Sequence, residues 1–249
     1  MLKRGTGSRA AARVLAGCVA SLGLLLETPF CLGDDLWGGS LGLTNDYLVR
    51  GISRSNDQAA LQLDLHYVNT SGFVAGIFVS NTQIDPYEPK DVMISGFIGF
   101  AWTAGDDWRS RILANYYSYP WNALGSKYNY DELDLDVAYQ DWLGLSLSYS
   151  TNSPRYLYDR GLVGEPTESA EVDLQQPVFG KLFATGGVGY YYMQGPEAAG
   201  YAYWSVGAAY TLAPVNLTLS YVETTAGAKT LFYNAAATGR WVGTIIWRF

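Results

Sequence analysis

From residue 61 onward the side chains of this sequence take turns. Leu61, Leu63, Leu65 and Tyr67 alternate with Gln62, Asp64 and His66, and an extended strand sends alternate side chains to opposite faces. One face of this segment is apolar, and the other carries a carboxylate and an imidazole. The same period recurs in Phe73–Val79, Leu133–Tyr139, Leu143–Tyr149, Ala170–Leu174, Leu182–Tyr190 and Val215–Tyr221. Further strands are predicted from Leu41 towards Tyr47, over Val92–Trp102, Trp108–Tyr117 and Tyr201–Leu212, and over the last ten residues. These segments run to about 9–12 residues, the length of a tilted membrane-crossing strand rather than the 5–6 usual in a soluble sheet.

The connections sort by length. Short turns follow the even strands: Asn69–Gly72, Ala104–Asp107, Asp141–Trp142, a turn at Pro177, and Ala213–Pro214. Long connections such as Thr151–Thr167 and Thr224–Thr238 follow the odd ones. A soluble sandwich has no reason to sort its loops, whereas a membrane barrel has short turns at one rim and long loops at the other. The fold expected is all-β: a transmembrane antiparallel up-and-down β-barrel of about 12 strands, with both termini at the periplasmic rim. Thr224–Thr238 contains an Ala-rich piece, but Gly227 and its short length argue against a helix there.

A mean hydropathy near zero leaves no room for membrane-spanning helices, which need runs of about 18 or more apolar residues. The one sustained apolar run, Val14–Leu26, follows Lys3, Arg4, Arg9 and Arg13. It reads as a secretory signal peptide over residues 1–33, leaving 34–249 as the barrel. Cys18 and Cys31 both fall inside this leader, so the mature chain has no thiol for a disulfide or a metal. Losing four basic residues and one acid, Glu27, takes the formal charge from −7 to −10. A chain this acidic, with no basic stripe, is a poor partner for nucleic acid.

Lipid-facing residues are apolar, so the polar parity of each strand should face the lumen. That parity carries Asp64, His66, Arg109, Arg111, Glu132, Asp134, Asp136, Glu171 and Asp173. The two arginines, on the fifth strand, should lie opposite the three carboxylates of the sixth. Buried charges cost several kcal/mol each unless paired or wet. This face is therefore either the lining of a water-filled, weakly cation-selective pore or an internal salt-bridge lattice that closes it. His66 is the only histidine, so any Ser-His mechanism acting on lipids would have to use it, and no spacing motif supports one. Neither a Ca²⁺ loop nor a phosphate-cradling Gly-rich segment is present, and no cofactor or metal is expected.

The final segment, Arg240–Phe249, sets Trp241, Ile245, Trp247 and Phe249 on one face. Small Gly243 lies between the aromatic ends, as in a strand whose ends meet headgroups. A chain closing on Phe249 resembles bacterial outer-membrane barrels, in which that end is read by the assembly machinery. Asn45-Asp46-Tyr47-Leu48-Val49-Arg50-Gly51-Ile52-Ser53-Arg54-Ser55 resembles the opening signature of the TorF-type porin family, with Asn45 where that pattern has Ser. Gly72-Phe73-Val74-Ala75-Gly76, Ser80-Asn81, Tyr119-Pro120, Asn129-Tyr130-Asp131-Glu132 and Arg248-Phe249 also fit. The resemblance implies an outer-membrane barrel with a porin role, with Asp46, Tyr47, Arg50, Gly51, Ser53 and Ser55 as motif residues at the rim. By parity Asp46 and Arg50 could pair there, and Gly51 would free the chain to turn. The partners expected are outer-membrane lipids, the assembly machinery and small hydrophilic solutes.

Overall fold

The computed structural model describes residues 36–84, 90–122, 125–157, 161–195, 198–232 and 234–249; the leader expected over residues 1–33 lies outside them. The strands are β1 Leu36–Thr44, β2 Ala60–Val68, β3 Phe73–Thr82, β4 Asp91–Ala104, β5 Trp108–Ser118, β6 Tyr130–Tyr139, β7 Leu143–Leu157, β8 Gly161–Phe179, β9 Leu182–Met193, β10 Ala199–Leu212, β11 Val215–Thr224 and β12 Arg240–Arg248. Each pairs antiparallel with its sequence neighbours, and β1 closes the barrel on β12 through Ser40↔Arg248 to Thr44↔Thr244. Gly39 and Phe249 complete the seam with two reciprocal backbone hydrogen bonds of 3.0 Å. The twelve alternating segments thus form the twelve strands of one closed barrel.

The barrel wears its apolar side chains outside. Leu43, Leu61, Ile98, Leu133, Leu219 and Ile245 are all about half exposed or more, while Gln62, Asp64, Ser80, Ser95 and Glu132 are buried. Aromatic pairs flank this apolar band. Trp37–Tyr67, Trp108–Tyr139 and Trp247–Phe249 lie at the short-turn end, with centroids 5.2, 4.8 and 5.1 Å apart. Trp204–Tyr221 and Tyr221–Trp241 lie towards the other end at 5.8 and 5.5 Å. An apolar belt bounded by two aromatic girdles is the surface that lipid requires.

Four expectations need correction. The first strand ends at Thr44 rather than reaching Tyr47. There the Asn45 side chain donates to Trp241 O and accepts from Gly243 N, which satisfies the end of β12 and lets the chain leave the wall. Most of Thr151–Thr167 is strand: β7 and β8 stay paired out to Leu157↔Gly161, with a bulge beside Pro166 accommodating a residue that has no N–H to give. Pro177 likewise stays in β8, next to a register shift, and the turn comes at Gly180 (φ 56°) and Lys181. Finally, one helical turn does form, at Ala228–Leu231. Packing overrides propensity there, since Ala228 is fully buried against a cluster containing Ile52, Tyr201 and Tyr203.

Candidate functional site

The connection from β1 to β2 folds into the barrel. Leu48↔Ser53 and Val49↔Ile52 form a minimal hairpin whose two tip residues, Arg50 (φ 51°) and Gly51 (φ 76°), both adopt the left-handed conformation of a tight I′ hairpin turn. Its side chains reach the wall on several sides. Tyr47 and Val49 join a buried cluster with Phe78, Met93, Tyr117 and Tyr130 on β3–β6. Ile52 meets Tyr191, Tyr201 and Tyr203 on β9 and β10, and Leu48 meets Val222 and Val242 on β11 and β12. These wall residues lie near the long-loop ends of their strands, so the hairpin crosses the lumen at that mouth.

The motif residues hold this hairpin together. The Asp46 carboxylate accepts hydrogen bonds from Ser53 Oγ (2.6 Å) and Ser55 Oγ (2.8 Å), while Ser55 Oγ also accepts from Tyr47 N (2.8 Å). Asp46 and Arg50 do not pair with each other. Asp46 pairs with Arg240 of β12 at 2.6 Å, and Arg50 pairs with Glu132 of β6 at 2.8 Å. The tight turn points Arg50 across the lumen, away from Asp46 at the hairpin's base. Arg240 also contacts Asp57, and Tyr201 OH donates to Arg50 O at 3.0 Å. Burial pushes the Asp46 carboxyl above the usual carboxylate range, and the two serines and Arg240 pull it only part of the way back.

Beneath the hairpin lies the polar wall of β5–β8. Arg111 Nε donates to Asp136 Oδ2 at 2.8 Å, Ser146 Oγ to Asp136 Oδ1 at 2.6 Å, and Asn115 Nδ2 to Asp134 Oδ2 at 2.7 Å. Tyr203 OH donates to Glu171 Oε2 at 2.7 Å. The strand registers set Arg111, Asp136, Ser146, Glu171, Gly189 and Tyr203 in one row from β5 to β10. Asp173 lies two residues further along β8. Arg109 is not opposite the three carboxylates: it faces Ala138 and reaches the rim, where it pairs with Asp141 at 2.7 Å. His66 Nδ1 meets Asp64 Oδ1 at 2.5 Å, and a Cβ at Gly38 would come within 2.7 Å of its Nε2. Among the described residues, no group of three or more His, Cys, Asp or Glu is arranged to hold a metal ion.

Arg54, Asn115, Tyr201, Tyr203 and Arg240 were missed as site residues. Arg54 lies within the opening motif, but strand parity says nothing of a segment that leaves the wall. Tyr203 and Asn115 have the lumen parity of their strands but carry no charge, so the charge pattern does not mark them.

The family described as "Bacterial protein of unknown function (Gcw_chp)" matches residues 36–247. The chain belongs to this family. Among curated proteins none matches it by sequence. Among solved structures, the barrel is similar to the COG4313 outer membrane channel from Pseudomonas putida F1, at 10% identity and TM-score 0.52, covering 87% of this chain and 95% of that one. It is also similar to the NanC porin, at 9% identity and TM-score 0.51, covering 85% and 98% of the two chains. The KdgM porin matches at 13% identity and TM-score 0.51, covering 85% and 99%. At these identities the likeness is one of fold: this Gcw_chp chain is built as outer-membrane porins and channels are built.

Proposed function

We propose that this protein is a porin-like channel of the outer membrane, through which small hydrophilic solutes diffuse past the inward hairpin. The observation that carries this reading lies on the β8–β11 wall. Gln175 Oε1, Thr185 Oγ1, Ser205 Oγ and Ser220 Oγ are buried, face inward, and have no hydrogen-bond partner among the described residues. A buried polar atom without a partner costs about 1–3 kcal/mol, so four on one wall mark an inner face suited to polar partners rather than to a packed apolar core. A polar interior in an apolar-coated barrel is what a conduit for hydrophilic solutes requires. The acidic majority of the lumen gives it a weak preference for cations.

The opening motif supports placing the chain with the TorF-type porins, and the apolar run Val14–Leu26 behind four basic residues supports export towards the outer membrane. Reconstitution into planar bilayers tests the function. Steps of ohmic conductance are expected, and they should grow when the hairpin residues 47–54 are replaced by a flexible linker of equal length. A barrel that stays silent in both forms is a closed structural element, and the reading then fails.

A further inference from the structure

We infer that the long-loop mouth of the barrel contains a binding site for a single carboxylate group on a small hydrophilic solute, formed by the guanidinium of Arg54 and the hydroxyl of Tyr47. The backbone of Arg54 is fixed on both sides: its N donates to Tyr47 O and its O accepts from Gln83 N, each at 2.7 Å. The guanidinium is thereby held over the Phe232 ring, 5.7 Å from its centroid. It lies within electrostatic reach of the tyrosines at positions 119, 130, 191 and 201. Among the described residues no carboxylate pairs with it. The flanking arginines are already engaged, Arg50 with Glu132 and Arg240 with Asp46 and Asp57.

A second observation points to the same place. Tyr47 is 6% exposed, its hydroxyl has no hydrogen-bond partner among the described residues, and it too lies within electrostatic reach of Arg54. Arg54 and Tyr47 also stand opposite each other at the base of the hairpin, one step beyond Leu48↔Ser53, so cross-strand pairing carries the guanidinium and the hydroxyl to the same face. Arg54 itself is only half-buried, so a solute at the mouth can reach it. A half-buried guanidinium with no carboxylate beside it among the described residues is open to an anion from outside. Its planar fork matches a carboxylate, which accepts two parallel N–H···O bonds, and Tyr47 OH can donate a third. The ring walls, with Tyr191–Tyr201 at 5.4 Å and Tyr201–Phe232 at 5.9 Å, suit the C–H faces of the solute's body. One uncommitted cation, above a wall that becomes acidic at Glu132, selects a monoanion and disfavours phosphate dianions.

Binding is measured on the full mature chain folded in detergent micelles, so the result does not depend on whether the barrel conducts. Isothermal titration at low salt compares gluconate with glucose and with inorganic phosphate. Gluconate is expected to bind, and glucose and phosphate are not. Arg54→Gln should weaken gluconate roughly tenfold or more, as loss of a charge-assisted bidentate pair does. Tyr47→Phe, which removes one oxygen and keeps the ring, should weaken it severalfold and serves as the decisive variant if Arg54→Gln does not fold. The inference is overturned if wild type does not bind gluconate, if both variants bind it unchanged, or if phosphate binds and gluconate does not.

Discussion

Arg50 and Glu132 are separated by 82 residues in the sequence and by 2.8 Å in the barrel, where the tip of the hairpin is pinned to the opposite wall. Both side chains are nine-tenths buried, so removing one partner leaves the other as an uncompensated charge, a loss of about 3–5 kcal/mol in such sites. Glu132→Gln is therefore expected to undock the hairpin and raise single-channel conductance. Arg50→Gln combined with Glu132→Gln should recover part of the lost stability, because no buried charge is then left alone. Thermal unfolding of the two single variants and the double variant in micelles checks this, and strict additivity would show that the pair does not couple.

Gly51→Ala tests the turn itself. Its φ of 76° is left-handed, and a Cβ there would stand 2.6 Å from Thr224 Cγ2 and 3.1 Å from Tyr203 Cβ. The conformation costs an L-residue about 1–2 kcal/mol, and overpacking adds roughly 1–3 kcal/mol. The hairpin should loosen while the barrel wall stays intact. Limited proteolysis near Arg50 should accelerate, with unchanged far-ultraviolet circular dichroism.

The wall was legible in the sequence because its physics is periodic. Leu61–Tyr67 against Gln62–His66 needs only a strand with lipid on one side, and register with neighbours then follows from short turns. The hairpin was legible only as a motif. Nothing in Asp46-Tyr47-Leu48-Val49-Arg50-Gly51 distinguishes a loop folded inward from one standing at the rim, since Leu48 and Val49 would suit either a lipid edge or a packed interior. What decides it is the set of receptors in distant strands, Glu132, Tyr201, Val222 and Arg240, which no local pattern connects. Arg109 misled for a related reason: parity fixes the face of a side chain but not its height, and this one sits where the wall ends and Asp141 is within reach.

Acid should favour the docked hairpin through Asp46. Its carboxyl is raised by burial when docked, while an undocked, solvated carboxyl titrates near about 3.9. The docked form therefore holds the proton more tightly. This contribution to docking is fully present below the ordinary value and is lost as pH rises through the raised one. Conductance is expected to fall as the pH is lowered from neutral towards the ordinary carboxylate range. Asp46→Asn, which is fixed in the neutral form, should flatten that part of the profile. An identical profile in wild type and Asp46→Asn would assign the effect to other groups.

Ion preference should follow the acids that face water once the pairs are set aside. Below the mouth, where Asp46, Arg54, Asp91, Arg155 and Arg240 lie, the lumen carries Asp64, Glu132, Asp134, Asp136, Glu171 and Asp173 against Arg50 and Arg111, because Arg109 has gone to the rim. Arg50 offsets Glu132 and Arg111 offsets Asp136, which leaves Asp64, Asp134 and the Glu171–Asp173 pair, whose side chains hydrogen-bond each other and so count as one charge rather than two. Their hydrogen bonds to His66, Asn115 and Tyr203 orient three of these carboxylates. Asn115 and Tyr203 add no formal charge of their own, so the row still attracts cations. Screening over about 10 Å at 0.1 M salt should erode the preference as ionic strength rises. Reversal potentials across a KCl gradient in planar bilayers are expected to show weak cation selectivity at low salt. Asp134→Asn combined with Asp136→Asn should reduce it, by removing two lumen carboxylates and with them the Arg111–Asp136 pair. Anion selectivity in the wild type, or a preference unmoved in the double variant, would mean that the field is set elsewhere in the barrel.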